Sequence, residues 1–260
     1  MKTSPVDRMD SGFVRTDLLA VAASLSLVLV LVLSMGNTTR TATEGVGCQN
    51  NVRKLSQAWL SYSAENPTLV PNNMDSRSWA WGAQRWSTDP DSTNTANVQT
   101  PVFAPYIGSD TSIFRCPSDR FVSPEQQARG WRSRLRSYAM NYYVGMSVIQ
   151  PFVSGYRVFL KESDLVFPGE TFVFTDEHPD SIDDPLFRGD PSAGRDSVSN
   201  IPASFHNRGA VFSFADGHVE LHRWQGTNFI RPVRFVYLNP RPTNEVDYNW
   251  LAQRISQRRP

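Results

Sequence analysis

Acidic and imidazole side chains that could share a metal ion are concentrated in the second half of the chain. Asp176 follows a predicted strand, and His206 and Asp216 come later in the chain, around a predicted hairpin. Zinc commonly takes histidine together with carboxylates, and calcium takes several oxygens. If the strand that ends at Thr175 pairs beside this hairpin, Asp176, His206 and Asp216 meet at one sheet edge. We therefore expect these three residues to be the best candidate ligands of a divalent metal.

Each of these residues also has a local explanation. Asp216 is a turn residue, and His206 can cap the loop before a strand. His218, Glu220 and His222 alternate onto one strand face at about 7 Å per step, which is too far apart for one chelate. The sequence leaves both a metal site and a solvated strand face open.

Motifs of hydrolytic catalysis are absent from the sequence. It contains no Gly-x-Ser-x-Gly elbow, no His-Glu-x-x-His and no phosphate-binding glycine loop. Ser204, His206 and Asp176 can be drawn as a triad, but almost any chain of this size permits such a set. The sequence predicts a protein that is not an enzyme and has no obligatory cofactor, with a metal-dependent exported enzyme as an alternative.

The two cysteines, Cys48 and Cys116, do not form a Cys-x-x-Cys pair, which argues against a structural zinc site. In an oxidising compartment they could form a disulfide that closes a loop of about 68 residues. Two free, buried thiols are the alternative. The net charge of +1 gives no basic surface for nucleic acid, and the arginine-rich segment 129–136 favours a solvated face.

A long apolar run lies near the N-terminus. Residues 18–35 contain no charge, and at about 1.5 Å per residue they nearly match a ~30 Å hydrocarbon layer. Lys2, Arg8 and Arg15 precede the run and favour a cytoplasmic N-terminus. We expect a single membrane span over 13–35 with an extracytoplasmic head.

The rest of the chain is predicted to form a stem, a head and a tail. The stem region, 36–66, places Val52, Leu55 and Trp59 at helical spacing, which indicates an amphipathic helix. The head covers 67–240. The polar tail, 241–260, contains a short predicted helix at Glu245–Ile255.

The clearest element of the head is a hairpin. Two alternating runs, 209–215 and 218–224, are joined by Asp216-Gly217, whose residues both tolerate positive φ. Further strands are predicted within 137–144 and 169–175.

Three tryptophans lie close together in the sequence at Trp79, Trp81 and Trp86. Such a group fills a core more often than it forms a sugar-stacking platform. The second possibility, combined with the acidic loop 180–184, keeps an extracytoplasmic glycan-binding module open as an alternative function.

A series of short motifs along the chain resembles the ordered set of motifs of one protein family. The chain is similar to pseudopilin-like proteins with a prepilin-type leader and a C-terminal His-x9-Asp-Gly domain, as in Planctomycetes. The residues that carry the resemblance are Gly12–Asp17, Cys48–Leu55, Phe114–Asp119, Ser137–Asn141, Phe174–Glu177 and His206 with Asp216-Gly217.

The resemblance implies an α+β fold, with a long N-terminal transmembrane and stem helix packed on a small antiparallel β-sheet head. It implies an inner-membrane subunit or accessory of a type II secretion or type IV pilus-like assembly. Its partners would be a prepilin peptidase, other pseudopilin subunits and the membrane. Related pseudopilins often hold calcium in a C-terminal loop.

The resemblance also assigns roles to three N-terminal residues. The leader would be 1–12, cut after Gly12, and Phe13 would then be methylated. Asp17 would pair with the N-terminal ammonium of a neighbouring subunit, because a carboxylate in an apolar setting is costly unless it is paired.

Overall fold

The computed structural model describes residues 15–145, 154–192, 200–238 and 245–259, and within these it leaves the side chains of 15, 17, 31–43 and 245 undescribed. The chain divides into two compact units, Met1–Ala42 and Thr43–Pro260. Gly12 and Phe13 lie outside the described residues, and Asp17 lies in a helix without a described side chain.

The longest element is helix α1, Arg15–Glu65. In the second unit its last turns bury one face, with Val52, Leu55 and Trp59 at most 1 % exposed. The predicted amphipathic stripe is confirmed there. The helix ends just before Pro67, which has no backbone N–H and disfavours helical geometry in the residue before it.

A five-stranded sheet forms the centre of the second unit. Its strands are β1 (Tyr138–Asn141), β2 (Phe172–Asp176), β3 (Leu186–Phe187), β4 (Gly209–Phe214) and β5 (Val219–Arg223), in the order β3-β1-β2-β4-β5. β4 and β5 pair from Gly209–Arg223 to Ser213–Val219, which confirms the predicted Asp-Gly hairpin.

The prediction of an antiparallel sheet is wrong, because the sheet is mixed. β3 pairs in parallel with β1, with Met140 opposite Leu186. After β2 the chain runs through irregular structure and returns along the free edge of β1 in the same direction. There the N–H of Met140 donates to the carbonyl of Pro185, and the N–H of Tyr142 donates to that of Phe187.

The predicted transmembrane stem helix is also not found. Among the residues that the structure describes, no helix is both long enough and apolar enough to cross a membrane.

Short helices complete the described part of the second unit. They are α2 (Ala104–Ile107), α3 (Pro124–Ala128) and α4 (Glu245–Ile255), and five 3-10 turns lie between the longer elements. α4 has the bounds that the sequence predicts. α3 begins with a capping box, in which Ser123 and Gln126 exchange side-chain-to-backbone hydrogen bonds.

Aromatic side chains fill the core between α1 and the sheet. Trp79 is fully buried and contacts the rings of Phe103, Phe114 and Phe174. Its indole N–H donates to Asn72 Oδ1 at 3.1 Å. Trp79 is therefore a core residue, as the sequence favours.

Candidate metal centre

Four potential metal ligands meet inside the head. One ligand atom from each of Cys48, Cys116, Asp176 and His206 can be chosen so that all of these atoms lie within 4.8 Å of one another. The four residues, here called the ligand cluster, are 0–2 % exposed. They come from α1, the loop after the turn Thr111–Phe114, the last position of β2 and the turn before β4.

Cys48 enters the cluster from α1. The Tyr138 hydroxyl on β1 donates to its Sγ at 3.2 Å. One turn earlier on the same helix, Gly45 lies against the ring of His206, whose Nδ1 would be 3.5 Å from an added Cβ. A distance of 3.5 Å is ordinary van der Waals contact, so the helix lies close to the imidazole with room for a Cβ at this position.

Cys116 is held by a loop that packs tightly on α1. The Asn51 side-chain amide donates to the carbonyl of Arg115 at 2.9 Å. A Cβ added to Gly47 would lie 3.1 Å from the ring of Pro117. The residues on both sides of Cys116 are thus fixed against the helix, so the position of its sulfur is well defined.

The side chain of Asp176, the last residue of β2, binds the neighbouring strand β4. Its Oδ1 accepts the backbone N–H of Val211 at 2.7 Å. Oδ2 then faces the cluster, 3.7 Å from Cys48 Sγ and 3.4 Å from His206 Nε2. The backbone hydrogen bond therefore orients the carboxylate.

His206 precedes a turn with unusual backbone geometry. Asn207 and Arg208 have φ values of 52° and 66°, in the left-handed region that non-glycine residues rarely adopt. The ring Nε2 lies 3.3 Å from Cys116 Sγ. Its Nδ1 is buried and has no hydrogen-bond partner among the described residues. Strained backbone conformations of this kind occur most often at functional sites, where the surrounding structure holds them in place.

The cluster perturbs the acid–base behaviour of its members. Burial raises the pKa of Cys48 well above its ordinary value. Burial alone would raise the pKa of Cys116 and lower that of His206, but hydrogen bonds outweigh it in both residues. Those from Cys48 and His206 lower the pKa of Cys116, and those to Asp176 and Cys116 raise the pKa of His206 to about 10. Such a shift indicates a favourable anionic environment around the imidazole.

Two thiols, an imidazole and a carboxylate form a donor set that suits zinc. No protein family, curated protein or solved structure matches this chain. The chemistry of the cluster therefore rests on the residues themselves, and their sulfur ligands distinguish it from an all-oxygen calcium site.

The structure brings together two of the three predicted metal ligands. Asp176 and His206 are in the cluster, whereas Asp216 lies at the far end of β4 from His206, about 20 Å away for a strand of this length. Asp216 Oδ1 accepts the backbone N–H of His218 at 3.1 Å and lies 2.6 Å from its ring Nδ1. Its role is that of a turn residue.

Both cysteines are free and buried. From the sequence we expect either a disulfide or two free, buried thiols, and we do not predict the cysteines as metal ligands. The signal that could have identified them is their position in two of the motifs on which the pseudopilin resemblance rests, since Asp176 and His206 also lie in motifs of that set. The triad drawn with Ser204 is not formed among the described hydrogen bonds, because His206 Nε2 faces Asp176 and Cys116.

Trp86 and the acidic-loop residues Asp180 and Asp183 line one pocket of about 410 Å³, whereas Trp79 lies in the core. Arg134 lies over the ring of Trp86 at 3.9 Å, and Phe235 packs edge-on against that ring. The Asp180 carboxylate accepts the backbone N–H groups of Arg234 and Phe235.

The prediction that segment 129–136 forms a solvated face is wrong at Arg134. This residue is buried, and its guanidinium lies 4.0 Å from an oxygen of Asp119.

Proposed function

We propose that this protein is a pseudopilin-like structural subunit, or an accessory subunit, of a type II secretion or type IV pilus-like assembly. The order of the sequence motifs supports the proposal. The structural observation that carries it is the N-terminal part of α1, which presents apolar side chains without cover.

Large apolar side chains in this part of the helix are strongly exposed. The exposed fractions of Leu18, Leu19, Leu25 and Leu27 are between 62 % and 70 %. A helix that is apolar on several sides is normally covered in the working protein, since exposed apolar patches mark interaction surfaces. Neighbouring subunits that carry the same kind of helix would supply this cover.

The head supports a structural role more than a catalytic one. Its ligand cluster is 0–2 % exposed, so a substrate has no direct route to it. Catalytic metal sites keep a coordination position open to water or substrate, whereas structural sites are closed by protein ligands. The buried donors thus favour a role in holding the head together.

Crosslinking in cells tests the proposal. The double variant Leu25→Asp/Val28→Asp should lose crosslinks to neighbouring subunits, because charge prevents apolar helices from packing together. A matched control places the same charges on exposed apolar residues of the head, as Val166→Asp/Phe167→Asp. The control variant should keep the crosslinks.

The N-terminus provides a second readout. Mass spectrometry of the mature protein should find cleavage after Gly12 and a methylated Phe13, and Asp17→Ala should prevent co-assembly. An intact N-terminus on a monomer, with crosslinks unchanged in the helix variant, contradicts the proposal. Carbohydrate binding by such a monomer would instead favour the glycan-binding alternative.

A further inference from the structure

We propose that the head binds one Zn²⁺ ion in a closed tetrahedral site formed by Cys48 Sγ, Cys116 Sγ, Asp176 Oδ2 and His206 Nε2. This inference goes beyond the proposed function, because it concerns how the head is held together and is independent of any assembly partner. It differs from the set of Asp176, His206 and Asp216 that the sequence suggests, because it includes two sulfur ligands and leaves out Asp216.

The spacing of the donor atoms fits a tetrahedral zinc ion. With Zn–S near 2.3 Å and Zn–N or Zn–O near 2.0 Å, the edges of the tetrahedron measure about 3.3–3.8 Å. The measured separations are 3.3 Å for Cys116 Sγ–His206 Nε2, 3.4 Å for His206 Nε2–Asp176 Oδ2 and 3.7 Å for Cys48 Sγ–Asp176 Oδ2. Three of the six edges therefore match the distances that coordination requires, and all four donor atoms lie within 4.8 Å of one another.

The types of donor select the metal. Calcium and magnesium take oxygen ligands, whereas thiolates and imidazole suit zinc. Two sulfurs, one nitrogen and one oxygen make a mixed set for a borderline-soft divalent ion. Zinc has a filled d shell and therefore no electronic preference for one geometry, so it can accept the arrangement that these four donors offer.

Two of the ligands have outer partners of the kind that orient metal-binding groups. The backbone N–H of Val211 binds Asp176 Oδ1 and leaves Oδ2 for the ion. The Tyr138 hydroxyl donates to Cys48 Sγ. Such partners fix the orientation of a ligand and tune its basicity.

A disulfide between Cys48 and Cys116 is the competing explanation. It would use only two of the four converging donors. The Asp176 carboxylate and the His206 ring would stay buried beside neutral sulfur, and burying a charge without full compensation is costly. A zinc ion uses all four groups and places its positive charge beside the carboxylate.

Binding balances as a proton exchange. Zn²⁺ binds both cysteines as thiolates and His206 as a neutral imidazole, so every proton that these three groups carry in the metal-free protein, including the one on His206, passes to solvent as the bonds form. No electron is transferred, so the step needs no oxidant or reductant.

The first test measures metal in the full-length protein purified without chelator. Elemental analysis should find one zinc per chain. Replacement with Co²⁺ should give a thiolate-to-cobalt charge-transfer band and the intense visible bands of tetrahedral cobalt. Removing the metal with a chelator should lower the melting temperature, and added Zn²⁺ should restore it. These measurements use the wild-type chain and do not depend on whether a variant folds.

The second test changes single ligands. His206→Gln and Cys116→Ser should each weaken zinc binding by about 100-fold or more, since even outer partners are worth about 10–100-fold. The matched controls His218→Gln and Asp216→Asn change an exposed imidazole and an exposed carboxylate. Both control proteins should keep the full zinc content.

Three results would overturn the proposal. One is a metal-free wild-type protein whose Cys48 and Cys116 resist alkylation until they are reduced, which would establish the disulfide. Another is zinc that remains fully bound in His206→Gln and Cys116→Ser. The third is a cobalt spectrum without thiolate charge transfer. A failure of the crosslinking test with normal zinc binding would count against the proposed assembly only.

Discussion

Two aspartate–histidine pairs lie in the described part of the head, and they differ in almost every respect except residue type. Asp176 and His206 lie 3.4 Å apart with side chains at most 2 % exposed. Asp216 and His218 lie 2.6 Å apart at the tip of the hairpin, with side chains 42–44 % exposed. The shorter contact belongs to the exposed pair.

Environment, rather than contact distance, sets the importance of each pair. In water an ion pair of this kind is worth about 0–1 kcal/mol, because solvent screens the charges. In the interior, removing one partner leaves an uncompensated polar or charged group, which costs about 3–5 kcal/mol. The buried pair also has two thiols beside it, so it can take part in chemistry that the exposed pair cannot.

The largest expected difference concerns the two carboxylates. Asp176→Ala should lower the free energy of unfolding by about 3–5 kcal/mol, because His206 loses its partner and the Val211 N–H loses its acceptor. Asp216→Ala should cost at most about 1 kcal/mol. Urea unfolding followed by tryptophan fluorescence measures both values, and equal losses would contradict the comparison.

Two glycines next to these pairs should respond in opposite directions. Gly217→Ala should destabilise the protein by about 1–3 kcal/mol, because φ is 92° and the new Cβ would lie 2.8 Å from Leu60 Cδ1. Gly45→Ala should stabilise it by about 0.5–1 kcal/mol, since the residue is helical and the nearest atom of His206 is 3.5 Å away. Thermal unfolding of the two variants checks the signs. If Gly45→Ala were destabilised instead, the space between the helix and the imidazole would be too small for a methyl group.

A smaller effect is expected at the hydroxyl that faces Cys48. Tyr138→Phe removes the donor at 3.2 Å from the sulfur, which should cost about 1 kcal/mol in stability. Zinc affinity should fall about 10-fold. Tyr106→Phe is the matched control, because Tyr106 donates to exposed Glu65 and lies outside the cluster. Competition with a chromophoric chelator measures the affinities, and equal values for the two variants would exclude an outer-shell role.

The smallest effect comes from a third imidazole, which is intermediate in burial. His222 stacks on Trp250 with ring centroids 3.6 Å apart, and burial lowers its pKa despite the nearby Asp247. As pH falls from about 6.5 towards the lowered pKa, the unfolded chain takes up a proton that the folded chain resists, so this stability contribution is lost. His222→Phe should keep the stacking and flatten the dependence in that range. Unfolding titrations at a series of pH values test this, and an unchanged slope would assign the acid sensitivity elsewhere.

Local signals predicted much of the fold. The Asp-Gly turn and its alternating flanks identify β4 and β5, and α4 has the bounds that the sequence predicts for a short terminal helix. These elements depend on residues close together in sequence. The parallel edge strand β3 has only two residues and no periodicity to detect, which explains the wrong prediction of an antiparallel sheet.

The site was predictable only in part. Asp176 and His206 were identified because each stands at the end of a strand and the two strands pair. The cysteines were not, because their contribution depends on how α1 and the loop before Pro117 pack on the sheet. The prediction of Asp216 as a ligand was wrong. Asp216 follows β4 and His206 precedes it, so the two residues lie at opposite ends of that strand.

The distances along the chain between the ligands have a consequence for folding. Cys48 and Asp176 are 128 positions apart, and Cys116 and His206 are 90 apart. Contacts between segments this distant form late, because loop closure must precede them. An ion that needs all four donors can be captured only by a chain whose helix, loop and sheet have already met. Metal uptake would therefore mark the completion of folding, and a chain that stalled earlier would remain metal-free.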